Sequence, residues 1–290
     1  MQIKPAILIT GASGQLGMEF RKLESAFPQY QFLFVSKDEL PIDDGIAINQ
    51  YFAKQPVHYC VNCAAYTAVD KAESEPEKAM LINGTAVGEL ATVCKENNSL
   101  FIHISTDYVF DGNGTAPYKE DHPVNPVNTY GASKLKGEEL AILNNPASII
   151  IRTSWVYSFY GNNFVKTMLR LMKERDSINV VNDQLGRPTY AADLAVAIMQ
   201  IIEQAAPAPG IYHFSNTGTS ISWFDFALAV KELSGSNCMV NPVPSTSYPT
   251  PAKRPAYSVL DLTKTVSTFQ LTIPHWKESL AKCIQLLSQP

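Results

Sequence analysis

The chain has no apolar run approaching the roughly 18 residues that a membrane-crossing helix needs, and no basic-then-apolar leader opens it. A soluble, cytoplasmic protein without membrane contact is expected. Basic runs are also lacking, and the net charge of -4 argues against a nucleic-acid partner. Cysteine is scarce, with 5 in 290 residues at irregular spacing. Cys60 and Cys63 have the spacing of a metal or redox pair, yet both lie in the apolar run Tyr59–Ala65. Residues three apart on a strand face opposite ways, so neither a disulfide nor a shared metal is expected there. No internal repeat and no disordered tail is found. The chain is long enough to bury a full core, as one large domain with a smaller attachment.

What is present begins with the apolar strand Ala6–Thr10, followed at once by GASGQLGMEFRKLE. Gly11, Gly14 and Gly17 recur every third residue ahead of a helix reaching about Ala26. A turn without Cβ lets backbone approach a pyrophosphate, and the helix N-terminus supplies unpaired N–H groups. Gly11, Ser13, Gly14, Gln15, Leu16 and Gly17 are therefore expected to hold a dinucleotide. The next strand, Gln31–Val35, ends in Ser36-Lys37-Asp38. An acid at the strand end would hold a free adenosine ribose, whereas Ser36 and Lys37 suit a 2′-phosphate. NADPH is favoured, with NADH still open. Asp43 either meets the adenine or caps the helix over 46–54. A strand over 57–65 ends in Ala64 and Ala65, small enough for a cofactor to lie close.

A long helix is expected over 77–97, with the polar Asn83 inside it. Phe101–Ile104 then reads as a strand with Ser105 and Thr106 directly at its end, where open α/β sheets bind ligands. Tyr130 and Lys134 are four apart in a helical segment and share one face. A tyrosine, a lysine and a threonine converging there supply an acid, a pKa-lowering cation and a group that orients a carbonyl oxygen. A further buried strand is expected over 147–151. The βα alternation describes a Rossmann-type doubly wound parallel sheet with helices on both faces. The expected division is a nucleotide-binding domain over 1–155, with a returning segment near 184–205, and a mainly substrate-binding domain over 156–290.

In the second part, Arg152, Trp155, Tyr157, Tyr160, Asn162 and Asn163 precede a helix over 164–173 and suit recognition of a sugar or base ring. Arg152 also fits a core ion pair. A loop over 183–193 leads to a helix over 194–205, a strand over 210–216 and a helix over 223–234. The segment 241–255 is proline-rich and reads as a long ordered loop, and 271–287 as the last helical stretch.

Gly11-x2-Gly14-x2-Gly17, Ser105-Thr106-Asp107-Tyr108 and Tyr130-x3-Lys134 together resemble the extended short-chain dehydrogenase/reductases. Within them the chain is most similar to the dTDP-4-dehydrorhamnose reductases, through HISTDYVFDGNG, YGASKLKGE, RTSWVYSFYGNNFVKTM, NDQLGRPTYAADLA and RPAYSVLD. The resemblance implies reduction of the C4 ketone of dTDP-4-dehydro-β-L-rhamnose by NAD(P)H. It implies Thr106, Tyr130 and Lys134 as the catalytic trio, with Lys134 lowering the pKa of Tyr130. Thr67, Val69, Trp155 and Asn163, with Thr106, fall in the implied sugar-nucleotide site, and Asp43, Ala64 and Ala65 line the cofactor. Some members hold magnesium between glutamates at a homodimer contact. Glu19 matches the first, but Ala192 stands where the second falls, so no metal is expected and Glu19 reads as a first-turn acid. A homodimer remains the default assembly. A dehydratase would need a second carboxylate after Asp107, where Tyr108 stands. An epimerase would retain NAD, and a regulatory subunit would not need the trio.

Overall fold

The computed structural model of the chain describes residues 4–289. Its strands are β1 (Ala6–Thr10), β2 (Gln31–Val35), β3 (Tyr59–Asn62), β4 (Leu100–Thr106), β5 (Ile149–Thr153), β6 (Val156–Tyr157), β7 (Ser177–Val181), β8 (Leu185–Gly186), β9 (Thr189–Tyr190), β10 (Gly210–Phe214), β11 (Ile221–Ser222) and β12 (Met239–Val243). Its helices are α1 (Gln15–Leu23), α2 (Gly45–Lys54), α3 (Val69–Ala72), α4 (Pro76–Met80), α5 (Ala86–Glu96), α6 (Thr129–Asn144), α7 (Phe164–Glu174), α8 (Ala191–Ile202), α9 (Trp223–Ser234), α10 (Thr263–Phe269) and α11 (Trp276–Leu287).

Six parallel strands form the main sheet in the order β10-β5-β4-β3-β1-β2. Strands buried on both faces read as unbroken apolar runs, which is why AILIT and IIIRT gave no alternation. Ile7 and Ile9 pack on one face with α1 and α8, while Leu8 packs on the other with α2, α5 and α6. Strand order reverses between β1 and β3, and the crevice above such a switch point is where doubly wound sheets take ligands. A second body, with α7, α9, α11, β7 and β12, is built around Tyr157, Phe226, Trp276 and Leu280. Among the described residues no helix is long and apolar enough to cross a membrane.

The helix expected over 77–97 is broken by a wide turn at Leu81–Thr85 between α4 and α5. The cause is Asn83, whose amide closes on the backbone of Tyr66 and on the Ser133 hydroxyl instead of facing solvent. Its carbonyl presses on Gly137 of α6, where an added Cβ would lie 2.1 Å away. An inserted residue of this kind is common where a helix must re-aim a group at a functional site.

The main sheet takes its sixth strand, β10, from beyond residue 205, and α10 packs on it. Within the proline-rich segment, Met239–Val243 pairs in parallel with β7, and its Pro242 is tolerated because the two-stranded sheet has free edges. The last helix starts only at Trp276, after Pro274, with the His275 side chain accepting from Lys277 N.

Candidate active site

β4 carries Ser105 and Thr106 to the C-terminal edge of the sheet, and α6 starts beside them. Asn128 caps α6, its side chain accepting from Gly131 N at 2.8 Å. Gly131 is pressed on Tyr108 O, where a Cβ would come within 2.2 Å. This close approach sets the Tyr130 ring edge-on to Tyr108, centroids 5.6 Å apart. Thr106 Oγ1 accepts from Tyr108 N at 3.2 Å and donates to Asp107 Oδ1 at 3.1 Å. Thr106, Tyr130 and Lys134 thus lie around one strand end, as expected from their order in the chain.

Their electrostatics depart from expectation. Enclosure of the Tyr130 hydroxyl pushes its pKa up to about 12; a hydrogen bond with Thr106 opposes this and the Asp107 carboxylate adds to it. The Lys134 Nζ donates to Ile104 O at 2.7 Å and lies 3.1 Å from His103 Nε2. Burial brings Lys134 itself down to about 8, against the pull of Glu138 and Cys63. Asp107, a member of the Ser105–Tyr108 motif, has no role of its own in the sequence analysis. It is buried, its Oδ2 has no partner, and burial raises it to about 7.

The glycine loop occupies the switch-point crevice. Gly11 has φ +61°, and a Cβ there would come 2.7 Å from Ala64 N. Gly17 is equally tight, with a Cβ 2.5 Å from Ala12 Cα. Gly14 offers no side chain to cap α1, so the first-turn amides stay unpaired beside exposed Ser13. Leu16 is buried in the core, leaving only its backbone to the crevice. A cradle that any Cβ would fill, ending on uncapped amides, fits a dinucleotide pyrophosphate. Ala64 and Ala65 are half-buried just beyond β3. At the end of β2 the acid that folds back is Glu39, not Asp38: its Oε2 accepts from Ser36 N at 2.7 Å. Asp43 is exposed and does not cap α2; Asp44 does, through Ala47 N.

On the other side of the crevice, Thr67 is exposed and Val69 half-buried, at the entry to α3. Trp155 has φ +50° and stacks on Trp223, centroids 3.6 Å apart. Gly186 makes room for it, since a Cβ there would lie 2.5 Å from the indole. Asn163 is half-buried at the start of α7. It caps α7 by accepting from Lys166 N, and its amide donates to Ser158 O and to Gln15 Oε1. Arg152 faces no crevice; it is buried with Glu138 in an ion pair of 2.7 Å. Tyr157 likewise lies in the core of the second body. Glu19 is no exposed first-turn acid: it is buried, accepts from Ser158 Oγ at 2.5 Å, and burial raises its pKa.

Two groups that the sequence reading missed tie the halves together. Arg254 grips Asp70 of α3 through both terminal nitrogens, at 3.0 and 2.8 Å. Their partnership joins positions 184 residues apart, and only RPAYSVLD hinted at one end of it. Among the described residues no cluster of three or more His, Cys, Asp or Glu could hold a metal.

The family model described as the RmlD substrate binding domain matches residues 5–289. A dTDP-4-dehydrorhamnose reductase of Aggregatibacter actinomycetemcomitans is 42% identical over 284 residues, covering 94% of this chain and 96% of that one. The spore coat polysaccharide biosynthesis protein SpsK of Bacillus subtilis is 42% identical over 280 residues, 96% of each. A crystal structure of the Bacillus anthracis dTDP-4-dehydrorhamnose reductase in complex with NADP superposes with a TM-score of 0.93 at 39% identity, covering 98% of this chain and 100% of that one. With its sheet order, its glycine cradle and its Thr106–Tyr130–Lys134 edge, the chain belongs to the family of the RmlD substrate binding domain, that of the dTDP-4-dehydrorhamnose reductases.

Proposed function

We propose that this chain reduces the C4 ketone of dTDP-4-dehydro-β-L-rhamnose to the alcohol of dTDP-β-L-rhamnose, with NADPH preferred and NADH accepted. The observation that carries the reading is the meeting of Thr106, Tyr130 and Lys134 at one strand end beside an uncapped glycine cradle. When bound, the reduced nicotinamide supplies the hydride. The Tyr130 hydroxyl, held near 12, keeps its proton at neutral pH and gives it only to a strong base. The nascent C4 alkoxide is such a base, so the proton leaves Tyr130 as charge develops on that oxygen. Thr106 turns its hydroxyl from Asp107 to the same oxygen, where a donor is worth most as charge builds. The cation of Lys134, on the same face of α6, favours the tyrosinate left behind and holds the nicotinamide ribose.

Gly11, Ser13, Gly14, Gln15, Leu16 and Gly17 take the pyrophosphate on backbone amides. Ser36, Asp43, Ala64 and Ala65 line the adenosine end and the floor. Thr67, Val69 and Trp155 receive the sugar nucleotide, and Asn163 acts through Gln15 by holding its side chain. Purified protein mixed with dTDP-4-dehydro-L-rhamnose and each reduced nicotinamide tests this, by the loss of nicotinamide absorbance. Stoichiometric oxidation with the deoxysugar alcohol as product is expected, faster with NADPH. Protein that binds NADPH yet oxidises none would overturn the substrate assignment.

A further inference from the structure

Behind Lys134 runs a line of buried polar side chains that the chemistry above does not use. Lys134 Nζ lies 3.1 Å from His103 Nε2; His103 Nδ1 is 3.0 Å from Asn62 Nδ2, and Asn62 Oδ1 accepts the Thr10 hydroxyl at 2.6 Å. Thr10, Asn62 and His103 are register partners on the neighbouring strands β1, β3 and β4, and none is exposed. Three polar groups in adjacent positions of an otherwise apolar sheet cost desolvation, and each must find its partner in the line. The line ends on the lysine of the candidate site.

We propose that His103, held by Asn62 and Thr10, is a positioning residue for Lys134 that fixes the direction of its remaining N–H toward the cofactor ribose. An ammonium has three hydrogens. Ile104 O takes one and His103, in the tautomer that accepts at Nε2, the second, which leaves one direction for the third. Without the imidazole, the flexible four-carbon stem would let the charge wander. The ring is neutral: burial holds it well below its ordinary value, and the lysine charge pushes the same way. One ring nitrogen therefore accepts and the other donates.

Opposite a charged Lys134, Nε2 accepts, the ring proton sits on Nδ1, and Asn62 presents its carbonyl oxygen to it. The Asn62 amide stands with Nδ2 toward the ring, and turning it over brings Oδ1 to Nδ1–H and Nδ2 to the Thr10 hydroxyl, which then accepts. In that orientation the line favours the ammonium over the amine. It is not a proton path, because an amide does not relay and Thr10 leads only to the backbone N–H of Ala64. The other groups facing the lysine are Cys63 beyond β3 and Glu138 one turn along α6, the latter already engaged by Arg152.

The inference rests on the NAD(P)H reading, so its test reads cofactor binding, which needs no sugar nucleotide. His103→Phe keeps the ring that packs 6.1 Å from Phe101 and removes both nitrogens. His103→Gln keeps an acceptor and a donor. NADPH affinity is titrated by fluorescence across pH for both, and for Asn62→Leu. The Phe variant should bind roughly tenfold more weakly or worse. Its affinity should also fall away at lower pH than in the wild type, because a lysine without an acceptor gives up its charge sooner. His103→Gln should restore most of the loss, and Asn62→Leu should show a smaller change in the same direction. A folded Phe variant with wild-type affinity and pH profile overturns the proposal, as does a Gln variant as impaired as Phe. If the Phe variant does not fold, Gln against Asn62→Leu decides: near-normal Gln with weakened Leu supports the proposal, and two normal profiles overturn it. A wild type that binds no NADPH overturns the proposed function instead.

Discussion

Two buried polar networks sit one turn apart on α6, and they are built to opposite ends. Around Glu138, Arg152 donates through Nε to both oxygens, at 2.9 and 3.1 Å, and through Nη2 to one of them at 2.7 Å. Ser105 donates to Glu138 as well, and both charged side chains are only 2% exposed. Each oxygen of that carboxylate is satisfied, and the pair can hold α6 to β4 and β5 but can do little else. Around Lys134, Tyr130 and Asp107 the supply falls short: one lysine hydrogen and one aspartate oxygen are left over, and all three groups are displaced from their ordinary pKa. Saturated networks make scaffold, and undersupplied ones at a strand end make reactivity.

Removing a group from each network should separate these roles. Tyr130→Phe takes the largest toll, on turnover alone, by about 10²–10⁴-fold with NADPH affinity kept; steady-state rates beside a binding titration check it. A variant turning over at the wild-type rate would remove Tyr130 from the chemistry. Arg152→Met should leave a buried carboxylate unpaired and cost about 3–5 kcal/mol of stability in urea denaturation. The double change with Glu138→Leu should recover most of that; a double variant as unstable as the single one would exclude the unpaired carboxylate as the cause.

Asp107 sharpens the contrast through pH. Its carboxyl is raised to about 7, so the fold favours the neutral form, and that contribution is complete below its unfolded value of 3.8. It is lost as pH rises through 7, so stability falls across this window. Asp107→Asn should flatten the fall of melting temperature between those limits; an unchanged slope would exclude Asp107 as its source. The smallest effect is expected from Asn163→Ala, about 1 kcal/mol for a lost helix cap. Release of Gln15 should also raise KM for NADPH, and an unchanged KM would leave Asn163 a helix cap alone.

Much of the site was legible because its signals are local. The Gly11–Gly17 spacing and the Tyr130–Lys134 repeat are set by turn and helix geometry, which need no tertiary information. Arg152 and Tyr157 share the same polar and aromatic stretch as Trp155, yet both are buried while Trp155 is half-buried. Nothing in the segment itself distinguishes an arginine that will meet Glu138 from one that will meet a ligand. The wide turn at Asn83 was illegible for the same reason, since its partners Tyr66 and Ser133 lie 17 and 50 residues away.

The sequence by itself determined the class of sheet, the cradle for a dinucleotide and the trio at one strand end, because periodicity and glycine spacing act within a few residues. Only the tertiary structure decided the pKa of Tyr130, the partners of Lys134 and the line from Thr10 to His103. Those depend on which groups are deprived of water and which strands lie side by side, and both are set by contacts between distant parts of the chain.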